Sequence, residues 1–125
     1  MRLLLDTHAL LWALADPDRL SDEARDALRD GRNDVLVSAA SVWEIAIKQA
    51  AGKLRAPDDL LDVTAATGFG WLSISARHAS LAGALPPHHR DPFDRMLVAQ
   101  ARVESLTILT RDQRFALYGV DLLSA

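Results

Sequence analysis

The sequence predicts an α/β fold in which helices cover both faces of a mainly parallel sheet. Short apolar runs alternate with longer helix-like segments along the whole chain, and this order favours parallel strands joined by helical crossovers. The first two runs, "LLL" and "VLV", have no polar face, which is typical of strands buried on both sides. In such folds the functional crevice lies at the carboxyl ends of the strands.

Length and composition restrict the class of protein. A chain of 125 residues predicts a single domain, spanning 1–125. Half the residues are hydrophobic and a quarter are charged, with no cysteine and a net charge of -3. The missing cysteines fit a reducing cytoplasm, and no apolar run approaches the length of a membrane span. We therefore expect a cytoplasmic protein with no membrane partner, and the acidic charge counts against broad nonspecific DNA binding.

The first three elements are predicted from apolar runs and helix-ending residues. Leu3–Leu5 is a short apolar run that suits a central strand. The next helix, Ala9–Ala15, is apolar on every face, so we expect it to be buried or covered by a partner. Ser21 is placed to cap a polar helix over Asp22–Arg29, just before a glycine that can end it.

The middle of the chain predicts a strand followed by an amphipathic helix. Asp34–Ser38 indicates a second buried strand. Val42–Ala51 indicates the third helix, with Ser41 as its N-cap and Gly52 at its end. An apolar stripe on this helix is expected to pack inward: Trp43, Ala46, Ile47, Ala50 and Leu54. The tryptophans at positions 12, 43 and 71 are all expected in the core.

The next stretch predicts two helices flanking a short strand. The fourth helix runs from Pro57 to near Gly68, because proline favours the first position of a helix and glycine its end. Trp71–Ile74 indicates a third strand, and Ser75 caps a fifth helix over Ala76–Ala84.

The last stretch predicts one helix and two strands. Pro92 opens the sixth helix, on which four residues are expected to face inward: Phe93, Met96, Leu97 and Ala101. Leu106–Thr110 indicates a fourth strand, and "VDLL" near the end indicates a fifth.

Carboxylates follow the predicted strands. Asp6 comes directly after the first strand, and Asp112 lies two residues after the fourth. Glu44 lies early in the helix after the second strand, and Asp91 and Asp94 open the sixth helix. Four separate segments therefore deliver acids to one edge of the sheet, which predicts a cluster.

A carboxylate cluster indicates a cation. At an effective dielectric constant of about 20, each pair of like charges about 5 Å apart would cost roughly 3 kcal/mol, against a stability of only about 5–15 kcal/mol. Oxygen ligands without cysteine suit Mg²⁺ or Mn²⁺ rather than zinc. Such an ion can activate a water and stabilise a phosphoryl transition state, so the pattern points to hydrolysis of a phosphodiester.

Each acid also has a structural interpretation. Ser41 and Glu44 form a capping-box pattern, and Glu44 is spaced to pair with Lys48. Asp91, before a proline, is better explained as an N-cap than as a ligand. Asp112 suits a turn. Asp6 is the hardest to explain structurally, although it could cap the next helix.

Other polar residues near the acids are weaker candidates. His8 could contact a substrate, and several arginines could contact phosphates, although ordinary surface ion pairing is the slightly better explanation for each arginine: Arg90, Arg95, Arg111 and Arg114. Thr110 could support the last acid through its hydroxyl. His88 and His89 lack zinc-ligand spacing with any cysteine, so a metal role is not favoured for either.

At these residues the sequence resembles the PIN-domain family, and specifically the VapC-type toxins of type II toxin–antitoxin systems. The resemblance lies in four stretches that occur in family order: "LLLDTHALLW", "SAASVWEIAIKQAAGKL", "HHRDPFDRMLVAQA" and "LTILTRDQRF". It implies a three-layer α/β/α sandwich and a Mg²⁺- or Mn²⁺-dependent endoribonuclease acting on RNA. It also implies a homodimer and inhibition by a cognate VapB-type antitoxin.

Carried over residue by residue, the resemblance assigns four acids as catalytic metal ligands: Asp6, Glu44, Asp94 and Asp112. Thr110 matches a hydroxyl residue beside the last acid, and Asp91 is an additional acid of the "RDPFDR" stretch. No acid of the pattern is missing, so nothing indicates an inactive enzyme.

Other functions remain open at this stage. A PIN-like module that only binds a partner would need none of the acids for catalysis, and a PIN nuclease could process RNA outside a toxin–antitoxin pair. Phosphotransfer proteins on similar sheets fit less well. The haloacid-dehalogenase pattern needs a second acid where this chain reads "DTH", and receiver domains need paired acids and a late lysine, whereas Lys53 is the last lysine here.

Overall fold

The computed structural model describes residues 1–125 and contains one five-stranded sheet. Its strands are β1 (Arg2–Leu5), β2 (Asp34–Ser38), β3 (Gly70–Leu72), β4 (Thr107–Thr110) and β5 (Leu122–Ser124). They lie in the order β3-β2-β1-β4-β5, and every neighbouring pair is parallel. The predicted α/β class with a parallel sheet is confirmed.

Six α-helices and two short 3₁₀ helices connect the strands. The α-helices are α1 (Thr7–Ala15), α2 (Asp22–Arg29), α3 (Ala39–Ala50), α4 (Leu60–Ala66), α5 (Ala76–Ala84) and α6 (Pro92–Glu104). The 3₁₀ helices span Pro17–Arg19 and Gln113–Tyr118. The chain moves outward from β1 to β3 and then returns to place β4 on the other side of β1. This reversal creates a crevice at the carboxyl ends of the two central strands.

The central strand divides the core into two layers. Leu3 and Leu5 point to one side, where they pack with buried residues of α1, α2 and α3. Leu4 points to the other side and packs with buried residues of α6 and β4. Because successive side chains of a strand alternate between faces, an unbroken leucine run supplies both layers at once. The sheet is therefore the middle of three layers.

The start of α3 differs from the sequence prediction. The helix begins at Ala39 rather than Val42, and Ser38 is its N-cap, accepting a hydrogen bond from the Ala40 N–H at 3.0 Å. Strand β2 therefore runs straight into the helix, and its last residue serves as the cap. The capping-box interpretation of Ser41 and Glu44 is wrong, because both residues lie inside the helix.

Other element boundaries differ by a few residues. Helix α1 begins at Thr7, earlier than predicted, because Asp6 caps it. Helix α4 begins at Leu60, after a turn rather than at Pro57. Strand β3 ends at Leu72, since it is an edge strand that pairs only along β2. The bounds of β2, α2 and α5 are as predicted.

Two of the three tryptophans are not core residues. Trp43 is 62% exposed and Trp71 is 44% exposed, so their predicted burial is wrong. Helix α3 is rotated so that Glu44 and Ile45 are buried, and this turns Trp43 and Ile47 toward solvent. Trp12 is half-buried, with the Arg111 guanidinium 4.3 Å from the centre of its ring.

Two further structural points concern the helices. Of the four α6 residues predicted to face inward, Leu97 and Ala101 are buried, whereas Phe93 and Met96 are half-buried. None of the helices combines the length and the apolar character that crossing a membrane would require.

The two-layer core makes β1 sensitive to truncation. Leu4→Ala should lower the free energy of unfolding by about 2–5 kcal/mol, because the side chain is fully buried and its removal leaves a cavity. Leu61→Ala, at a residue that is 56% exposed, is the matched control and should change it by less than about 0.5 kcal/mol. Urea unfolding followed by circular dichroism measures both, and equal effects would contradict the layered core.

Candidate active site

Five carboxylates line one cavity at the carboxyl edge of the sheet. The cavity has a volume of about 480 Å³. Asp6 reaches it from the end of β1, Asp112 from the end of β4 and Glu44 from α3, while Asp91 and Asp94 reach it from the start of α6. The structure thus brings together all the acids that the sequence placed at this edge.

Asp6 lies at the buried end of the cavity and is only 8% exposed. Its Oδ1 accepts a hydrogen bond from the Ala9 N–H at 2.7 Å and so caps α1, and its Oδ2 accepts one from the Thr110 hydroxyl. Burial raises the pKa of Asp6 above its ordinary value, although these hydrogen bonds oppose the shift. The Thr110 hydroxyl also accepts from the Asp112 N–H at 3.0 Å. It therefore links the ends of β1 and β4.

Glu44 is buried in the adjoining wall and is 3% exposed. Its Oε1 accepts a hydrogen bond from the Thr7 hydroxyl at 2.6 Å, and its Oε2 forms an ion pair with Lys48 one helical turn away. The hydrogen bond to Glu44 is the main cause that raises the pKa of Lys48. The ion pair that the sequence spacing suggested is present, and Lys48 brings a positive charge into the cavity lining.

Asp94 lies in an unfavourable environment for a charged carboxylate. Burial raises its pKa to about 7, and repulsion from the neighbouring carboxylates, with Asp91 the strongest, adds to the shift. Asp91 itself is the N-cap of α6, as preferred from the sequence. Its Oδ1 accepts from the Phe93 N–H at 2.8 Å and from the Asp94 N–H at 3.4 Å.

Asp112 has the opposite electrostatic environment from Asp94. Hydrogen bonds from the Arg114 side chain are the largest cause that lowers its pKa to about 2. The Arg114 guanidinium lies against both carboxylate oxygens, with its Nη2 2.9 Å from Oδ2. Oδ1 also accepts from the Arg114 N–H, which caps the following 3₁₀ helix. Asp112 is therefore a carboxylate that stays charged at neutral pH.

His89 is part of this site, although sequence reasoning did not select it. Its Nε2 lies 3.0 Å from an oxygen of Asp94 and 3.0 Å from an oxygen of Asp112. The side chain is 4% exposed. The sequence signal was the position of "HHRD" directly before the acids of α6. It was missed because the histidines were weighed only as zinc ligands.

The basic side chains divide into two groups. Arg90, Arg114 and His8 line the cavity, as does Lys48. Arg95 does not line it, because its guanidinium donates to four backbone carbonyls of residues 82, 85, 86 and 89. Arg111 donates to backbone carbonyls of Arg19 and Ala125 and lies on the Trp12 ring. Contacts within the fold thus account for the last two arginines.

The donor set fits a hard divalent cation. One carboxylate oxygen each of Asp94 and Asp112 lie within 4.8 Å of each other, and a ring nitrogen of His89 lies within the same distance of both. At that separation two charged carboxylates repel by roughly 3 kcal/mol at an effective dielectric constant of about 20. Carboxylate oxygens with this charge suit Mg²⁺ or Mn²⁺. The raised pKa values of Asp6 and Asp94 show that the neighbouring side chains and N–H groups do not offset the cost of charging these two carboxylates.

Comparison with known proteins identifies the class that this fold and site define. Residues 3–120 match the PIN domain, so the chain belongs to the PIN-domain family. Ribonuclease VapC22 of Mycobacterium tuberculosis is 29% identical over 123 residues, which cover 90% of this chain and 88% of that protein. The resemblance to the PIN-domain family and its VapC members is confirmed.

Solved structures of VapBC complexes share the fold. DNA-bound VapBC from Salmonella typhimurium matches with a TM-score of 0.72 and 17% identity, over 98% of this chain and 97% of that one. VapBC2 from Rickettsia felis, bound to a promoter DNA fragment, matches with a TM-score of 0.71 and 15% identity over 98% of both chains.

The raised pKa of Asp94 predicts a pH-dependent stability. In the unfolded chain this carboxyl ionises near its ordinary pKa of 3.8, but in the folded protein it ionises only near pH 7. The wild type therefore loses stability as the pH rises from about 4 to about 7. In EDTA, Asp94→Asn should raise the free energy of unfolding by about 1–3 kcal/mol at pH 8 and leave it nearly unchanged at pH 3.5.

Urea unfolding at both pH values measures this difference. The exposed Asp58 provides the control, and Asp58→Asn should show no comparable gain at pH 8. A stability gain for Asp94→Asn that is equal at both pH values would contradict the electrostatic explanation.

Proposed function

We propose that this protein is a metal-dependent endoribonuclease that acts as the toxin of a toxin–antitoxin pair. The observation that carries the proposal is the convergence of carboxylates from four chain segments on one cavity, with two pKa values raised by burial. A fold accepts such a site at a cost in stability, which indicates selection for function. The VapC relative, whose name describes a ribonuclease, supports RNA as the substrate.

Four acids would hold the metal: Asp6, Glu44, Asp94 and Asp112. When bound, Mg²⁺ or Mn²⁺ supplies positive charge for the phosphoryl transition state and lowers the pKa of a water. The carboxylates orient the attacking water by accepting its hydrogen bonds, and Thr110 keeps Asp6 in place. Lys48 neutralises Glu44, and the Arg114 guanidinium holds Asp112 in its charged form.

The cavity edge is suited to hold the RNA backbone. Arg90 is exposed at this edge, and Arg114 and His8 lie beside the acids. Phosphate contacts of this kind position a strand without reading its bases. The acids repel phosphate, so these cations are needed to bring the backbone to the carboxylates in a chain of net negative charge.

We propose a VapB-type antitoxin as partner and a homodimer as the oligomeric state. The structural neighbours are toxin–antitoxin complexes, which supports the first part. On this chain, Trp43 and Ile47 expose an apolar face of α3, and an open groove beside it includes Leu61. An amphipathic helix can bury its apolar side in a groove of this kind.

Cleavage of RNA by the purified, antitoxin-free protein tests the proposal. With total cellular RNA and Mg²⁺ or Mn²⁺ we expect discrete fragments, whose mapped ends identify the target. EDTA should abolish cleavage, and Asp6→Asn should slow it by at least about 10²-fold, because it removes a buried ligand charge. Asp121→Asn, at an exposed acid outside the cavity, should cleave normally.

Two results would contradict the nuclease proposal. The first is undiminished cleavage in EDTA or by Asp6→Asn, which would indicate a contaminating nuclease. The second is an absence of cleavage by folded protein that binds Mn²⁺ in calorimetry, which would favour the module that only binds a partner. Expression of this protein in cells separates a toxin from a general RNA-processing nuclease. A toxin should arrest growth, and co-expression of an upstream neighbouring gene should relieve the arrest.

Arg90 provides a separate test of RNA positioning. In the Asp6→Asn background, which keeps the RNA intact, Arg90→Gln should weaken binding of single-stranded RNA. It should also reduce the slope of log K against log salt by about 0.7, the value for one lost phosphate contact. Fluorescence anisotropy across a salt series measures both quantities. Arg77→Gln, at an exposed arginine outside the cavity, should leave the slope unchanged, and equal slopes for all variants would remove Arg90 from the interface.

A further inference from the structure

We propose that His89 is a positioning residue of the acidic site. Its Nε2–H donates to the carboxylate of Asp112 and lies 3.0 Å from an oxygen of Asp94, so His89 keeps the two acids together for the cation without being a metal ligand itself. This inference rests on the proposed metal site, and it adds a residue that the four-acid pattern does not contain. Three observations carry it, namely how the ring is held, which nitrogen bears the proton, and which chain segments the contacts join.

Several contacts fix the backbone and the ring of His89. Its backbone N–H donates to the Tyr118 hydroxyl at 2.8 Å, and that hydroxyl donates to the Pro86 carbonyl at 2.8 Å. The ring lies against Phe115, with a distance of 5.7 Å between ring centres. The Arg95 guanidinium holds the same loop by donating to its backbone carbonyls, including that of His89. The direction of the ring is therefore set by the fold.

The hydrogen bonds assign the proton to Nε2. The Asp91 N–H donates to Nδ1 at 3.3 Å, so Nδ1 must present its lone pair. In the neutral ring the proton then lies on Nε2, which faces the two carboxylates at 3.0 Å each. A nitrogen that carries its proton has no lone pair for a metal ion. His89 therefore acts on the site as a donor.

The contacts of His89 join parts of the chain that are far apart in sequence. Asp94 lies in the first turn of α6, whereas Asp112 follows β4. His89 hydrogen-bonds to Asp112 and also lies at ion-pair distance from Asp94, which has no other side-chain partner at that distance. Partners that orient metal-binding groups in this way typically contribute 10- to 100-fold to metal affinity. The same contribution is expected here.

Calorimetric titration of the EDTA-treated protein with Mn²⁺ tests this role. His89→Asn should weaken Mn²⁺ binding by about 10- to 100-fold, because the asparagine amide is too short to reach the Nε2 position. His89→Gln should recover most of the affinity, since its amide nitrogen can occupy that position and donate. His88→Asn, at the exposed neighbouring histidine, is the matched control and should bind Mn²⁺ as the wild type does.

Nitrogen NMR of ¹⁵N-histidine-labelled wild type distinguishes a donor from a ligand. The signals of His89, identified by their loss in His89→Asn or His89→Gln, should show a protonated Nε2 and a bare Nδ1 in EDTA. The same pattern should persist after Mg²⁺ is added. A ligand would instead lose its proton at Nε2 when the ion binds. The wild-type spectra keep the test decisive even if one variant fails to fold.

The outcomes separate this inference from the proposed function. If the wild type binds no Mn²⁺, the metal-dependent function fails and the inference fails with it. If the wild type binds Mn²⁺ and His89→Asn binds equally well, only the inference is overturned. Protonation at Nδ1 also overturns the inference, and so does loss of the Nε2 proton when Mg²⁺ is added. If a His89 variant changes the thermal unfolding temperature but not the Mn²⁺ affinity, His89 is only a structural residue.

Discussion

Repulsion among buried carboxylates is the constraint on which the arrangement of the site depends. The crevice between the two central strands collects the acids because each follows a strand or opens a helix at that edge. The chain supplies donors to offset their charge: a helix N-terminus and Thr110 for Asp6, and Arg114 for Asp112. These donors come from the same elements that deliver the acids, so the fold that gathers the carboxylates also supplies the groups that offset their charge.

A capping hydrogen bond does not exclude an acid from the proposed metal site. Asp6 uses Oδ1 to cap α1, while its Oδ2 accepts from the Thr110 hydroxyl beside the cavity. Asp91 also caps with one oxygen, Oδ1, and its side chain lines the cavity. A carboxylate has two oxygens with several acceptor positions, so the structural hydrogen bonds leave other positions available. The structural and functional interpretations of each acid, which compete when only sequence is considered, are therefore compatible.

The sequence predicts those features that depend on order along the chain. The parallel sheet and the gathering of Asp6, Glu44 and Asp112 at one edge follow from alternating elements and the positions of strand ends. The rotation of α3, which exposes Trp43, instead places Glu44 inward, where it accepts a hydrogen bond from Thr7, 37 residues away. Apolar periodicity carries no information about such a contact, because a buried acid on the inner face breaks the pattern.

The same limit explains why His89 and Arg95 were misjudged from sequence. His89 meets Asp112 at a separation of 23 residues, and the Arg95 guanidinium is surrounded by carbonyls of its own preceding loop. A histidine or arginine beside acids looks the same in sequence whether it serves the substrate or the scaffold. Only the three-dimensional list of donors and acceptors distinguishes the two.

The different electrostatic environments of Asp94 and Asp112 indicate which of the two carboxylates a cation would stabilise more. Asp112 accepts hydrogen bonds from the Arg114 guanidinium and from His89, and its pKa is lowered to about 2, whereas Asp94 has only the nearby His89 ring and a pKa raised to about 7. A bound divalent ion would stabilise the charged form of both, but the gain is greater for the group that the chain leaves uncompensated. Metal binding and folding stability are therefore coupled through Asp94 more strongly than through Asp112, and His89, as the side chain nearest to Asp94, helps set the strength of that coupling.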